Sequence, residues 1–288
     1  GIYVDYQNIM TAMRRRIPFG IAQIGKAFRN EINPRYFVFR SREFEQMEMQ
    51  YFVKPGTDME VFNTWRDKRL RYYAELGIRS EKLRLVPHEK LAHYASAAVD
   101  IEYEFPFGWG EIEGIHNRTD FDLRRHSEFS GKDLSFFDDQ TRERYIPFII
   151  EASSGVNRTL LAYLCDAYEV EQLENDTRTV LHLHPRLAPI KAGILPLVKR
   201  DGMPEKAHEI ERQLNPYFRV FYDESGAVGR RYRRMDEVGT PFCITVDSQT
   251  MQDDTVTLRD RDTMRQDRYP VAGLVQVLGE KITSWQRP

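Results

Sequence analysis

The chain holds only two cysteines, Cys165 and Cys243, and no C-x-x-C or comparable spacing. That leaves no disulfide framework and no Cys/His zinc site to build, and a reducing cytoplasm is the expected compartment. Long apolar runs are missing too. None approaches the roughly 20 residues that a bilayer span needs, and no signal-peptide core is visible, so no membrane partner is expected. Charge of one sign is lacking: 42 Lys and Arg stand against 44 Asp and Glu, a net −2. No global field draws in a polyanion, and any RNA contact has to come from local basic patches. The phosphate-cradling pattern G-x-x-x-x-G-K-[ST] does not occur. The seven histidines (His88, His93, His116, His126, His182, His184, His208) are scattered, and no Ser-His-Asp or Cys-His nucleophile arrangement stands out.

What is present suits a globular protein of one or two domains: 288 residues, 41% hydrophobic and 30% charged. The stretch Gly25–Val53 reads as two strands joined by a turn at Asn33-Pro34-Arg35. With a period of two, Arg29 and Glu31 share one face of the first strand, and Phe44, Gln46 and Glu48 line up on the second. Met47, Met49, Tyr51 and Val53 lie behind them. A sheet face that carries arginines, carboxylates and one ring is costly to hold unless a ligand uses it.

Before this hairpin, Asn8–Arg16 reads as a short helix ended by Pro18. After it, Thr57 and Glu60 form a capping-box signature for a helix whose Phe62, Trp65, Tyr72 and Leu76 fall on one face and which stops at Gly77. Val99–Phe105 alternates as a strand, and Glu111 and Glu113 are expected on one face of the next, where the pair calls for a cation such as Arg or Mg²⁺. Residues from about 126 to 145 read as a polar surface excursion. Pro147–Arg158 passes from a buried strand through small residues into a helix that continues through Leu160, Leu161, Leu164 and Tyr168. Arg158 falls in that helix's first turn, a favourable place to meet an anion.

Composition shifts at about 171–187, which sets the expected domain junction. Strands at Ala188–Leu197, Tyr217–Tyr222, Pro241–Val246 and Thr255–Asp260 then alternate with helices from Pro204, over Val228–Glu237 and over Val271–Ile282. Such alternation predicts an α/β layer on a mostly parallel sheet. Arg230, Arg231, Arg233 and Arg234, interleaved with Tyr232 and joined by Arg259, Arg261 and Arg265, form a basic and aromatic set of the kind that holds unstacked bases.

The motifs FRNE (Phe28–Glu31), FRSREFEQME (Phe39–Glu48), GWGEIEGI, RTDFDL, EASSGVNR (Glu151–Arg158) and GTPFCITVD resemble those of class II aminoacyl-tRNA synthetases, the glycyl type in particular. The resemblance covers the whole sequence apart from motif 1, the dimer-building helix and strand, so the chain is expected to be a fragment of a homodimeric enzyme. It implies an α+β catalytic domain on an antiparallel sheet at 1–180 and an α/β anticodon-binding domain at 188–288. The implied activity is ATP-dependent activation of glycine to glycyl-adenylate, then transfer to the 3′ end of a tRNA. A catalytically inactive relative that binds tRNA or serves as an accessory subunit is the alternative. Arg29, Arg40 and Arg158 match the phosphate-binding, catalytic arginines, and Phe44 the ring on adenine. The ATP set is completed by Asn30, Glu31, Phe39, Ser41, Arg42, Glu43, Glu111, Ile112, Gly155, Val156 and Asn157, with Glu111 as the Mg²⁺ ligand. For glycine the set is Phe44, Glu45, Gln46, Met47, Glu48, Arg118, Glu151, Ala152, Ser153, Ser154 and Gly155.

Overall fold

Alternation in the first half of the chain builds one sheet with helices around it. The structure is a computed structural model that describes residues 1–174 and 176–287, in two compact units that part between Ala162 and Tyr163. The first holds α1 (Ile2–Ala12), β1 (Phe19–Phe28), β2 (Glu43–Val53), α2 (Asp58–Glu75), β3 (Leu83–Pro87), β4 (Ala97–Phe105), β5 (Gly108–Thr119), α3 (Phe121–Ser130), the short strands β6 (Phe136–Asp138) and β7 (Glu143–Tyr145), β8 (Phe148–Gly155) and the start of α4 (Val156–Ala167). Six strands form the main sheet in the order β1-β2-β8-β5-β4-β3, and all neighbours are antiparallel. Tyr6, Phe19, Phe52, Leu123, Leu134 and Ile149 form a core at one end of this sheet, where burying each large side chain contributes roughly 1.5–3 kcal/mol.

Several sequence expectations change here. β1 runs earlier than expected and pairs Phe28 with Glu43, so Arg29 and Glu31 lie beyond its end. The Asn33-Pro34-Arg35 turn is one bend in a longer connection that includes a short 3-10 turn at Phe37–Phe39. The first helix starts at Ile2 and ends at Ala12, before the arginine run, because Arg14 takes a left-handed φ of 48°. Thr57 does sit at the start of α2, but its hydroxyl donates to the Lys54 carbonyl (2.8 Å) instead of capping the helix. On α2 Tyr73 is fully buried and Tyr72 is exposed. The excursion at 126–145 contains the end of α3 and the β6–β7 hairpin. Leu160 and Leu164 are exposed on α4, which ends at Ala167, and Tyr168 opens a strand.

The second unit contains the hairpin β9 (Tyr168–Gln172) and β10 (Thr177–Leu181), then β11 (Ala192–Pro196), α5 (Met203–Leu214), β12 (Val220–Tyr222), α6 (Val228–Glu237), β13 (Phe242–Val246), α7 (Thr250–Asp253), β14 (Thr255–Asp260), β15 (Gln266–Pro270) and α8 (Leu274–Ser284). The unit begins before the composition shift at 171–187 because the β9–β10 hairpin, charged as it is, is tied to α6 by ion pairs. Its sheet, β12-β11-β13-β14-β15, is mixed: the pairs on β11 are parallel, while β13-β14 and β14-β15 are antiparallel. β15, with Gln266, Asp267 and Arg268 in sequence, carries no apolar alternation and was not foreseen.

Three of the seven arginines expected on an RNA-facing surface are internal struts. Arg231, Arg259 and Arg261 are 2%, 6% and 1% exposed. Arg231 donates to the carbonyls of Pro196 (2.6 Å) and Asp223 (3.2 Å), and Arg261 to those of Leu183 (3.0 Å) and Gly239 (2.9 Å). Asp236, fully buried, accepts from Arg259 (2.8 and 3.0 Å) and Arg178 (3.3 Å). A guanidinium with five fixed donors can collect carbonyls at the ends of strands and helices in this way, which a basic run in sequence does not announce.

Candidate active site

The exposed face of β2, β8 and β5 forms the floor of a cavity of about 290 Å³. β2 contributes Phe44, Gln46 and Glu48, and β8 contributes Glu151 and Ser153, as alternation requires. Gln46 Nε2 donates to Ser153 Oγ at 2.7 Å, which fixes the two strands' polar groups against each other.

β5 departs from alternation, and the departure decides the site. Ile101 pairs with Glu113 and Glu102 with Glu111, so Ile112 is an extra residue in a bulge. Glu111 therefore lines the cavity, while Glu113 turns to the opposite face and is buried against α2. There Arg69 donates to it twice (2.6 and 2.9 Å) and Tyr73 once (2.7 Å). The expected Glu111–Glu113 pair on one face does not exist, and Glu113 is a structural anchor. After the bulge Gly114, His116 and Arg118 face the cavity.

One end of the cavity is cationic. Arg29, Arg40 and Arg158 converge there. Arg158 stacks 4.4 Å over Phe39 and donates to the carbonyls of Phe39 (3.2 Å) and Glu111 (2.8 Å). Burial lowers its pKa and the like charges of Arg29 and Arg40 lower it further, against the pull of Glu111 at 3.5 Å. Arg29 lies 5.3 Å over the Phe44 ring. Neither Arg29 nor Arg40 has a carboxylate partner among the described residues. Three guanidiniums with one weak counter-charge form a receptor for a polyanion.

The other end is anionic. Glu151 is 8% exposed and accepts from Gln50 (2.7 Å) and Arg118 (3.2 Å), with His116 Nδ1 at 3.3 Å. Burial would raise its pKa, yet His116, Arg118 and Gln50 together hold it below the usual value. Gln50 is itself held by Tyr3 of α1 (2.9 Å). Arg118 is clamped by Asp122 (2.7 and 3.0 Å) and stacks 4.0 Å over Tyr94. Glu48 has its pKa raised, first by burial and then by repulsion from Glu151. Two carboxylates in that relation are eased by a small cation between them.

Of the residues expected from sequence, Arg29, Glu31, Phe39, Arg40, Ser41, Phe44, Gln46, Glu48, Glu111, Arg118, Glu151, Ser153, Ser154, Gly155, Asn157 and Arg158 line this one cavity. Eight do not. Met47 and Ala152 point to the other side of the sheet, next to Trp65 and Tyr72 of α2, because they have the opposite strand parity. Ile112 is the buried bulge residue. Glu43 pairs with Lys26 at the surface (2.8 Å), and Arg42 donates to the Glu31 carbonyl (3.0 Å). Glu45 is exposed and offers only its backbone N–H, to Asn157 Oδ1 (2.8 Å). Asn30 is exposed outside the cavity, and Val156 starts α4 behind Gly155. Val38, Tyr94, Gly114 and His116 line the cavity without having been foreseen. For Gly114 and His116 the available signal was the two-residue step from Arg118, which the bulge disguised upstream.

Comparison with known proteins agrees with this geometry. Residues 6–167 match the family described as tRNA synthetase class II core domain (G, H, P, S and T), and residues 191–281 match the anticodon binding domain. The chain belongs to the class II tRNA synthetases, with a core domain of that class followed by an anticodon-binding domain. Within that class it is 54% identical over 295 residues to the glycine--tRNA ligase of Treponema denticola, covering 100% of this chain and 65% of that protein. To the glycine--tRNA ligase of Bacillus cereus it is 54% identical, covering 98% and 62%. For that of Chlorobaculum tepidum the identity is 53%, covering 98% and 60%. The chain thus spans 60–65% of the length of these curated relatives. Among the described residues no helix is long and apolar enough to cross a membrane.

Proposed function

We propose that this chain is the larger part of a glycine--tRNA ligase, which activates glycine with ATP to glycyl-adenylate and then transfers it to the 3′ end of its tRNA. The observation that carries the reading is the polarity of the cavity: Arg29, Arg40 and Arg158 gather at one end, Glu48 and Glu151 at the other. ATP supplies the phosphates that the arginines neutralise, and adenine stacks on Phe44. Glycine sits across the divide, its ammonium toward Glu48 and Glu151 and its carboxylate toward the α-phosphorus. The attack needs no protein nucleophile, only alignment and charge neutralisation. Mg²⁺, held by Glu111 beside the phosphates, would neutralise charge on the leaving pyrophosphate. Gln46 is bonded to Ser153 and Gln50 to Glu151, which fixes the polar groups around the proposed glycine, and no smaller competitor has to be rejected. The second unit would bind the tRNA through exposed groups such as Arg230, not through Arg231, Arg259 or Arg261. A homodimer in the cytoplasm completes the proposal, as the class resemblance implies.

The inactive, RNA-binding alternative is disfavoured because all three phosphate-facing arginines are present and converge. Glycine-dependent ATP–pyrophosphate exchange, measured on the full-length protein, tests the reading. Arg29→Ala is expected to lower the exchange rate by about 10²–10³-fold or more, as removal of a transition-state donor does. Exchange that persists at the wild-type rate would remove Arg29 from its assigned role.

A further inference from the structure

His88, Asp100 and His116 come from three neighbouring strands' worth of chain and meet beside the cavity, in a cluster that the proposed chemistry does not use. His88 follows β3, Asp100 lies in β4 and His116 in β5. One ligand atom from each lies within 4.8 Å of the other two. His88 Nε2 is 2.9 Å from Asp100 Oδ2, and the two imidazole rings are 5.7 Å apart at 83°. A further observation points to a ligand. Gly114, opposite Asp100 in the ladder, leaves the space the group needs: a Cβ there would fall 2.8 Å from His116 Cε1 and 3.4 Å from Asp100 Oδ1.

The geometry points to a binding site for a divalent transition cation of the zinc class, held by His88, Asp100 and His116. Two imidazoles and one carboxylate suit such an ion and leave a further coordination position open. Shifts of about an ångström or less close the cluster onto the roughly 2 Å bonds that zinc makes to nitrogen and oxygen. Binding expels the proton between His88 Nε2 and Asp100 Oδ2, since both atoms become ligands. His116 also lines the cavity, and the ion sits one imidazole away from Glu151. The cation so placed fixes the ring that borders the carboxylate, which makes it a positioning element for the anionic end.

The test titrates chelator-treated protein with Co²⁺, read by its visible ligand-field band, and then with Zn²⁺ as competitor. One Co²⁺ per chain, displaced by one Zn²⁺, is expected. His88→Ala and Asp100→Asn should each weaken binding by about 100-fold or more, beyond the 10–100-fold that changes outside the coordination sphere cost. Gly114→Ala, with its far-ultraviolet spectrum unchanged, should also weaken it by crowding the ring. The inference fails if no saturable band forms, or if the affinity stays within about threefold of wild type in His88→Ala and Asp100→Asn. Because the readout is metal binding and not aminoacylation, its failure leaves the proposed enzyme activity untouched, and the reverse also holds.

Discussion

At the level of single residues, the site is a matter of which charges are answered inside the protein and which are left for a ligand. Glu151 is answered by Gln50 and Arg118. Glu48 is answered only in part: burial and its acidic neighbour Glu151 outweigh Arg118 and the Ser153 hydroxyl and push its pKa up, so it gains a proton earlier on acidification than an ordinary glutamate of 4.5. In the proposed reaction the KM for glycine should therefore rise as the pH falls, starting above the usual carboxylate range. Glu48→Gln should raise that KM about 10–100-fold at neutral pH, the cost of losing one charged contact, and flatten its pH dependence. Steady-state exchange kinetics at several pH values, with the KM for ATP as control, would decide this. The charged members of this set were legible because Arg29, Arg40, Glu48, Glu151 and Arg158 stand in recognisable motifs at strand spacing. Tyr94 was not, because nothing in a lone tyrosine says which cavity a later fold will bring it to.

At the level of elements, β5 shows how a single extra residue overrides a periodic pattern. Alternation puts Glu111 and Glu113 together, and the bulge at Ile112 separates them to opposite faces. Sequence has no marker for that insertion, since Ile112 fits a strand equally well with or without it. Close packing next to the bulge is also functional. A Cβ on Gly110 would lie 2.8 Å from two atoms of the Phe39 ring, which Phe105 and Phe107 hold from other sides and on which Arg158 stacks. Gly110→Ala should therefore displace Arg158 and raise the KM for ATP several-fold while leaving that for glycine near wild type, as exchange kinetics would reveal. In the second unit the helix α6 was legible to the residue, Val228–Glu237, but Arg231 on it is buried and does not face outward with Arg230. Asp236→Ala should destabilise that unit by roughly 3–5 kcal/mol, because it strands the buried Arg259 without its counter-charge, while Arg178 keeps Glu171. Urea unfolding of the variant would show it as a lowered midpoint for that unit's transition.

For the molecule as a whole, the response of the second unit to acid starts at one hairpin. The β9–β10 hairpin is joined to the rest of its unit through His182, which contacts Asp262 (2.7 Å) and Glu171 (2.9 Å). Asp262 is held low against the penalty of its burial by His182, Arg261 and Trp285, and Glu171 likewise by Arg178 and His182. Carboxyls depressed in the folded state stabilise it above their unfolded values, 3.8 and 4.5, and lose that contribution as the pH falls below them. Amide hydrogen exchange of β9 and β10 should accordingly quicken below about pH 4, before that of β11 and β13 in the buried centre of the sheet. The overall plan, an antiparallel α+β unit followed by an α/β unit, was readable from the order of elements. The hairpin's allegiance was not, since it depends on side-chain contacts between residues 58 to 83 positions apart, such as the ion pair of Arg178 with Asp236 and its hydrogen bond to the carbonyl of Arg261.

The relay from Tyr3 through Gln50 to Glu151 ties the chain's opening turn to its most guarded carboxylate. A tug on that first helix travels two hydrogen bonds before it arrives where the amino acid is proposed to dock. A change within that helix thus has a short mechanical lever on the proposed glycine pocket, and its mark would appear in binding while the sheet beneath stays whole.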